Sequence, residues 1–332
     1  MRQLLLVLVT ALVCGCQSLP IGRATNESAD ALARLDGVLA GQYDNYEQVR
    51  QVAVKVEAGN VIAVPHLHEE WRALSQNHGG SLWLWRLQSL DPANATEAVW
   101  LYLISAANNG SGVVLTPYRA IDPNAAKTAF SDTQGKFKFV AEQWAELAPC
   151  ALTGAWNGSQ FSASANTAAC SALLPGLGKS AALLPLQFTL AGDMLHSVTF
   201  ADQARGAVAG VDARRVRWFN GWAAINGGGP KAKSGNQDWH VQKDLRLSSE
   251  GGRLKLRWRD GAANGYSLAL ARTTYPERNL SVLQLNVIDD ASGQVLDYVW
   301  TDPQAKAIGF NLGWLQVGLT QTGVNSESKS KK

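Results

Sequence analysis

The chain has 332 residues, enough for one large β domain or two smaller ones. Its hydrophobic content of 46% supplies a globular core, and its formal charge of +3 is too small to indicate nucleic-acid binding. Twelve tryptophans stand out; large rings that each carry one N–H suit a wide barrel, a ligand cavity, a carbohydrate-facing surface or simply a large core.

Arg2 precedes an apolar run from Leu4 to Val13. A span needs roughly twenty residues, so this run reads as the h-region of an export signal. Val13-Cys14-Gly15-Cys16 has a small residue before a cysteine, the pattern of a lipobox. Residues 1–15 are therefore expected to be a lipoprotein signal peptide, with the mature chain beginning at a diacylated Cys16. Two acyl chains anchor a protein stably to a membrane. Gln17, where retained lipoproteins commonly carry Asp, leans towards the outer membrane, facing the periplasm. The competing reading is an ordinary signal without lipid. Cys150 and Cys170 remain; in an oxidising compartment they suggest one disulfide, the alternative being two buried thiols. No other Cys or spaced His completes a four-ligand set, so no metal site is expected.

Residues 16–29 read as a tether. Ser28 is placed to cap a helix through Ala40, with Gly41 ending it. Val52, Val54 and Val56 alternate with polar neighbours like a strand, and Ser81 to Leu90, Ala98 to Ala106 and Gly112 to Ala120 are further β-rich runs. Phe137, Val140 and Trp144 predict a helix over Lys136 to Ala148, stopped by Pro149. Asn157-Gly158 marks a hairpin, and Gly192-Asp193 joins another between Leu183–Leu190 and Leu195–Ala201. Ala213 to Ile225 reads as one long strand, with Trp218 and Trp222 on one side as core. The glycine-rich stretch 226–238 is a loop and boundary. Strands are predicted over 240–248, 253–259, 265–274, 280–289, 294–301 and 307–319, with turn signals about every ten residues. Residues 322–332 form a basic, polar tail.

Four groups of residues resemble the CpcT/CpeT family of chromophore lyases. They are Leu32-Ala33-Arg34-Leu35 with Leu39 to Val49; Val99 to Leu103 with Leu115 to Pro123; Leu147 to Cys150 with Trp156 to Phe161 and Cys170; and Arg217-Trp218-Phe219-Asn220-Gly221. The resemblance spans residues 32 to 229, and the stretch 239–320 lies outside it. It implies a mainly β fold, an antiparallel calycin-like barrel with a few helices over 30–229; the strand and turn spacing adds a smaller antiparallel β unit over 236–321. It implies a bilin or other linear tetrapyrrole as ligand, with lyase or chaperone activity. The matching ligand-binding candidates are Tyr102, Tyr118, Arg119 and Arg217, with Asp122 weaker. The alternative is an envelope structural or interaction lipoprotein without catalysis, docking an envelope protein through its C-terminal unit.

Other constellations read as structural. His66-Leu67-His68-Glu69-Glu70 places two imidazoles on one face of a strand without a fixed third ligand, so it reads as a polar surface segment. His196 and His240 read as partly buried strand histidines. Asp289-Asp290 with Gly293 reads as a turn. No nucleophile elbow, phosphate loop or dinucleotide fingerprint occurs.

Overall fold

The computed structural model describes residues 23–57, 64–75, 80–90, 97–108, 111–132, 137–173, 183–199, 210–233, 235 and 237–323. The signal peptide, Cys16 and the tail from residue 324 lie outside the described residues.

The first part is a closed antiparallel barrel of ten strands. Its strands are β1 (Gly41–Asp44), β2 (Leu67–Ser75), β3 (Ser81–Ser89), β4 (Glu97–Ala106), β5 (Val113–Ala120), β7 (Leu152–Asn157), β8 (Gln160–Ala165), β9 (Pro185–Ala191), β10 (Met194–Thr199) and β11 (Val211–Arg215). The order is β4-β3-β2-β1-β11-β10-β9-β8-β7-β5, and β5 returns to β4 to close the ring. Closure leaves no open sheet edge. β6 (Trp144–Glu146) pairs with the end of β5, outside the ring.

Alternation fixes which side chains enter the barrel. On β3, Trp83, Trp85 and Leu87 face in, while Leu82 and Leu84 face an outer cluster; on β4, Trp100, Tyr102 and Ile104 face in and Leu101 faces out. Helix α1 (Arg23–Leu39) covers the end where β3 begins and β4 ends. Its Leu35 and Leu39 are fully buried with the interior residues, and its Asp36 accepts hydrogen bonds from Ser81 and from the Trp83 indole. The helix starts at Arg23, inside the expected tether, and Ser28 is a buried position within it rather than its cap.

The Cys150–Cys170 disulfide closes the opposite end, both sulfurs packed with the barrel interior. By loop entropy, a bridge across this separation stabilises by about 3 kcal/mol. Cys170→Ser is expected to lower unfolding free energy by about that much, read as a fall in the urea midpoint with a slope no shallower than the parent's, because the unbridged chain unfolds to a less compact state. A midpoint equal to that of the parent chain would contradict this.

Two local expectations are corrected. The valines at 52, 54 and 56 lie in α2 (Tyr46–Glu57), not in a strand. Glu47, one turn before Arg50 and Gln51, bonds both of them, and such i,i+3 and i,i+4 pairs favour a helix over alternation. The stretch expected as a helix from Lys136 forms no α-helix at its described residues: it holds a 3-10 turn, Ala141–Gln143, followed by β6. Phe137, Phe139 and Trp144 then pack on Tyr118 and Ala120 outside the barrel, and β6 pairs with β5. A helix forms just before it instead, α3 (Pro123–Ser131), with Asp122 as its cap.

The expected long strand 213–225 is broken. β11 ends in the barrel at Arg215, and β12 (Trp218–Asn226) belongs to a different sheet. Between them, Val216 donates to Gln42 and Arg217 donates to the Ser249 hydroxyl, so the chain steps from one unit to the next at this point. β12 pairs with β13 (Trp239–Ser248) and β19 (Leu315–Gln321), and β18 (Ala307–Asn311) completes that sheet. The second sheet is β14 (Gly252–Arg257), β15 (Ala263–Tyr275), β16 (Leu280–Asp289) and β17 (Val295–Thr301) in that order. Phe219, Leu245, Leu268, Leu285 and Val317 form one core between the two sheets, giving a β-sandwich. The predicted final strand 307–319 is two strands, turned at Gly313.

Buried charges join barrel to sandwich. Glu250 receives Arg272 at 2.5 Å and Arg214 at 2.9 Å, and its side chain has no exposure. Arg272 also reaches Asp193 of the barrel at 2.5 Å. Nearby, Glu47 of α2 accepts from the Thr274 amide, and Arg50 donates to the Thr274 carbonyl.

Candidate functional site

The barrel interior is filled. Trp83, Trp85 and Trp100 are each 1% exposed, and Tyr43, Tyr102 and Phe161 are 0% exposed, so almost no water-sized space touches them from inside or outside. Tilted ring pairs tie the interior together: Trp71 lies 5.2 Å from Tyr102 and 5.9 Å from Phe188, and Phe161 lies 5.5 Å from Phe188. A ten-strand ring is wider than one that aliphatic side chains fill easily, and the aromatic bulk makes up the difference.

One carboxyl sits in this interior. Glu69 accepts the indole N–H of Trp71 and of Trp85, each at 2.6 Å. Burial disfavours its charged form and pushes its pKa to about 7, against the two hydrogen bonds that favour that form. The reading of His66 to Glu70 as a polar surface is thus corrected at Glu69. Its inward position follows from the β2 register, in which Trp71 pairs with Trp85. The two histidines instead converge on Asp44: His66 Nε2 at 2.7 Å and His68 Nδ1 at 3.1 Å. Burial alone would raise the Asp44 carboxyl, but hydrogen bonds from both imidazoles hold it below its ordinary range. No cluster of three or more His, Cys, Asp or Glu suited to a metal occurs among the described residues.

The four residues nominated by resemblance do not share one site. Tyr102 lies in the barrel interior, its hydroxyl without a partner among the described residues, and burial raises its pKa strongly. Tyr118 faces outwards and packs edge-on against Phe139 at 5.6 Å. Arg119 is in phase with the inward Val113 and Leu115, but at the end of β5, where it pairs with Ala145 of β6. Arg217 lies at the step between the units and donates to the carbonyls of Pro303 and Ala305 in the sandwich. Asp122 is spent as a helix cap, accepting from the Asn124 amide at 2.9 Å.

The exposed aromatic rings among the described residues are Trp222, Tyr298 and Trp300, and all three belong to the sandwich. Trp222 and Trp218, expected in the core, are on the outer face of β12, because the core-facing positions of that strand are Phe219, Ala223 and Ile225. Trp218 bonds Gln42 and carries the Arg246 guanidinium 4.2 Å above its ring. Trp222 lies flat over Gly318, where a Cβ would meet its Nε1 at 3.0 Å, and it borders a shallow cleft of about 740 Å³ with Lys243 and Arg246.

Tyr298 and Trp300 stand two residues apart on β17, the edge strand of the other sheet, and are 58% and 57% exposed. Tyr298 pairs across the ladder with Asn286, and Trp300 with Gln284. A cleft of about 450 Å³ opens beside them, with Tyr275 and Arg278 on its far wall. Sequence reading placed a strand at 294–301 but could not show which of its faces would be bare. No helix among the described residues is long and apolar enough to cross a membrane. No protein-family model matches the chain and no curated protein matches it, so its likeness to the CpcT/CpeT lyases rests on the quoted residues alone.

Proposed function

We propose that this chain is a lipid-anchored binding protein of the bacterial cell envelope, in which the barrel is a rigid scaffold and the sandwich carries the binding surface. The observation that carries this reading is the contrast between the two units. The barrel strands pack their aromatic rings into the closed interior or into the outer cluster around Trp144, whereas the sandwich holds Trp222, Tyr298 and Trp300 out in solvent. Large exposed rings cost hydration free energy and recur at surfaces that bind. The filled interior, and the dispersal of Tyr102, Tyr118, Arg119 and Arg217, weigh against a bilin held inside the barrel. The lipobox at Val13 to Cys16 and the disulfide are consistent with work outside the cytoplasm.

Fractionation of cells expressing the full chain tests the proposal. The parent protein is expected in the membrane fraction, with Cys16→Ser released as soluble periplasmic protein. The released variant is expected to rebind isolated envelopes, and a Tyr298→Ala/Trp300→Ala derivative of it is expected not to. Confinement of the parent protein to the cytoplasm, or rebinding indifferent to both rings, would overturn the reading.

A further inference from the structure

We infer that the outer face of β15, β16 and β17 is a binding site for an uncharged oligosaccharide, a deepening of the binding role proposed above and resting on it. Three observations lead there. The first is the pairing of rings with amides: Trp300 beside Gln284 and Tyr298 beside Asn286, on adjacent strands of one face. A pyranose has an apolar face of C–H bonds and a rim of hydroxyls. Such a ring stacks on an indole or phenol while its rim meets hydrogen-bonding groups at the side, and this ladder supplies both within one strand spacing of about 4.8 Å.

The second observation is that the amides are already oriented. The Tyr275 hydroxyl donates to Gln284 Oε1 at 2.9 Å, and Gln284 Nε2 donates to Asn286 Oδ1 at 2.8 Å. This chain holds both amides in place on the face. It leaves the Asn286 amino group and the second hydrogen of Gln284 Nε2 without a partner among the described residues. A ligand hydroxyl meets donors that need no reorganisation, which lowers the ordering cost of binding.

The third is charge. The cleft beside Trp300 is bordered by one acid and one base, Glu277 and Arg278, both exposed. Their charges cancel, so the surface attracts neither an anionic lipid headgroup nor a phosphate backbone. The Tyr298 hydroxyl, the Trp300 indole N–H and both charged side chains have no protein partner among the described residues. The cleft is neutral overall and mixes rings, Leu280 and Val282 with polar groups; its complement is a neutral ligand with both apolar and polar faces, as a sugar ring has. Tyr298 and Trp300 are about 7 Å apart along the strand, so the two platforms engage successive sugars of a chain rather than one monosaccharide.

The test is calorimetric titration of the full folded chain with cellotetraose and with chitotetraose, two uncharged β-linked tetrasaccharides. Saturable binding to at least one is expected. Trp300→Ala and Tyr298→Ala should each weaken it about tenfold or more, and Gln284→Ala by less. Ile121→Ala, at an exposed apolar side chain of the barrel unit, should leave binding unchanged, and melting curves of the surface variants should match the parent. Absence of saturable binding to both sugars up to about 10 mM, or binding indifferent to Trp300→Ala, would overturn the proposal. If the sugars fail while ring-dependent rebinding to envelopes persists, the carbohydrate assignment falls and the ligand of the same face is a protein. If both fail, the binding role of the sandwich falls with it.

Discussion

Replacing Glu250 with alanine is expected to destabilise the chain by about 3–5 kcal/mol, the range for removing one partner of a buried ion pair. The carboxylate has no exposure and lies against two guanidiniums, Arg272 at 4% and Arg214 at 13% exposure. Burial alone would lower the Arg272 pKa, but Glu250 and then Asp193 hold it above its ordinary value; a guanidinium titrates so far above neutrality that Arg272 stays charged in the variant as well. Alanine removes the buried carboxylate that the two cations share and leaves only Asp193 beside Arg272 and Glu47 3.8 Å from Arg214. The effect reaches both units, because Arg214 is on β11 of the barrel while Arg272 is on β15 of the sandwich. Arg214 also donates to the Arg272 carbonyl at 2.5 Å, and Arg272 to the Arg215 carbonyl at 2.8 Å. Limited proteolysis should accordingly cut Glu250→Ala between residues 215 and 218, and calorimetry should resolve two transitions where the parent shows one. A single transition at the parent temperature would show that the ion cluster does not couple the units.

Unfolding free energy is expected to fall as pH rises from about 4.5 to about 7 because of Glu69, and the Glu69→Gln variant should not share that fall. The sign follows from proton uptake. The carboxyl titrates near 4.5 in the unfolded chain and near 7 in the barrel. Between those values the folded state binds more protons, so raising the pH favours unfolding. Stability from this group is fully present below 4.5 and is lost as the pH passes 7, with a span of about 3 kcal/mol at 1.36 kcal/mol per tenfold change in proton affinity. Glutamine keeps an oxygen for the Trp71 and Trp85 indoles and cannot ionise. Urea melts of both proteins at pH 4.5, 6 and 8 isolate the contribution as the difference between the two curves. Parallel curves would place the Glu69 carboxyl in water rather than in the aromatic interior.

Local pattern carried much of the architecture. In the C-terminal region the strands follow alternation and glycine-bearing turns closely: 280–289 is reproduced, and 294–301 begins at Val295. Mispredicted elements owe their form to partners distant in sequence. Val52, Val54 and Val56 alternate as a strand would, but Glu47 bonds its helical neighbours and the sandwich residue Thr274. Trp144 has helical spacing from Phe137 and Val140, yet β5 offers it an unpaired strand end. Glu69 looks like part of a polar run because the two indoles that bury it come from Trp71 and from Trp85, on a neighbouring strand. The abundance of tryptophan was visible in the composition, but its division between a closed interior and an open face was not. Tyr298 and Trp300 are bare because β17 ends its sheet, and sheet order is a long-range property.

The sandwich is a continuous segment whose first strand, β12, runs beside its last, β19, with partners from Phe219–Gln321 to Ile225–Leu315. Entry and exit of the polypeptide thus emerge at one corner, where the Thr322 amide and hydroxyl both donate to the Trp218 carbonyl. A segment with such adjoining ends behaves as a cassette. Its ends would join a surface loop of a carrier without stretching the host chain, provided that the carrier replaces the Arg214 and Asp193 partners of Glu250 and Arg272.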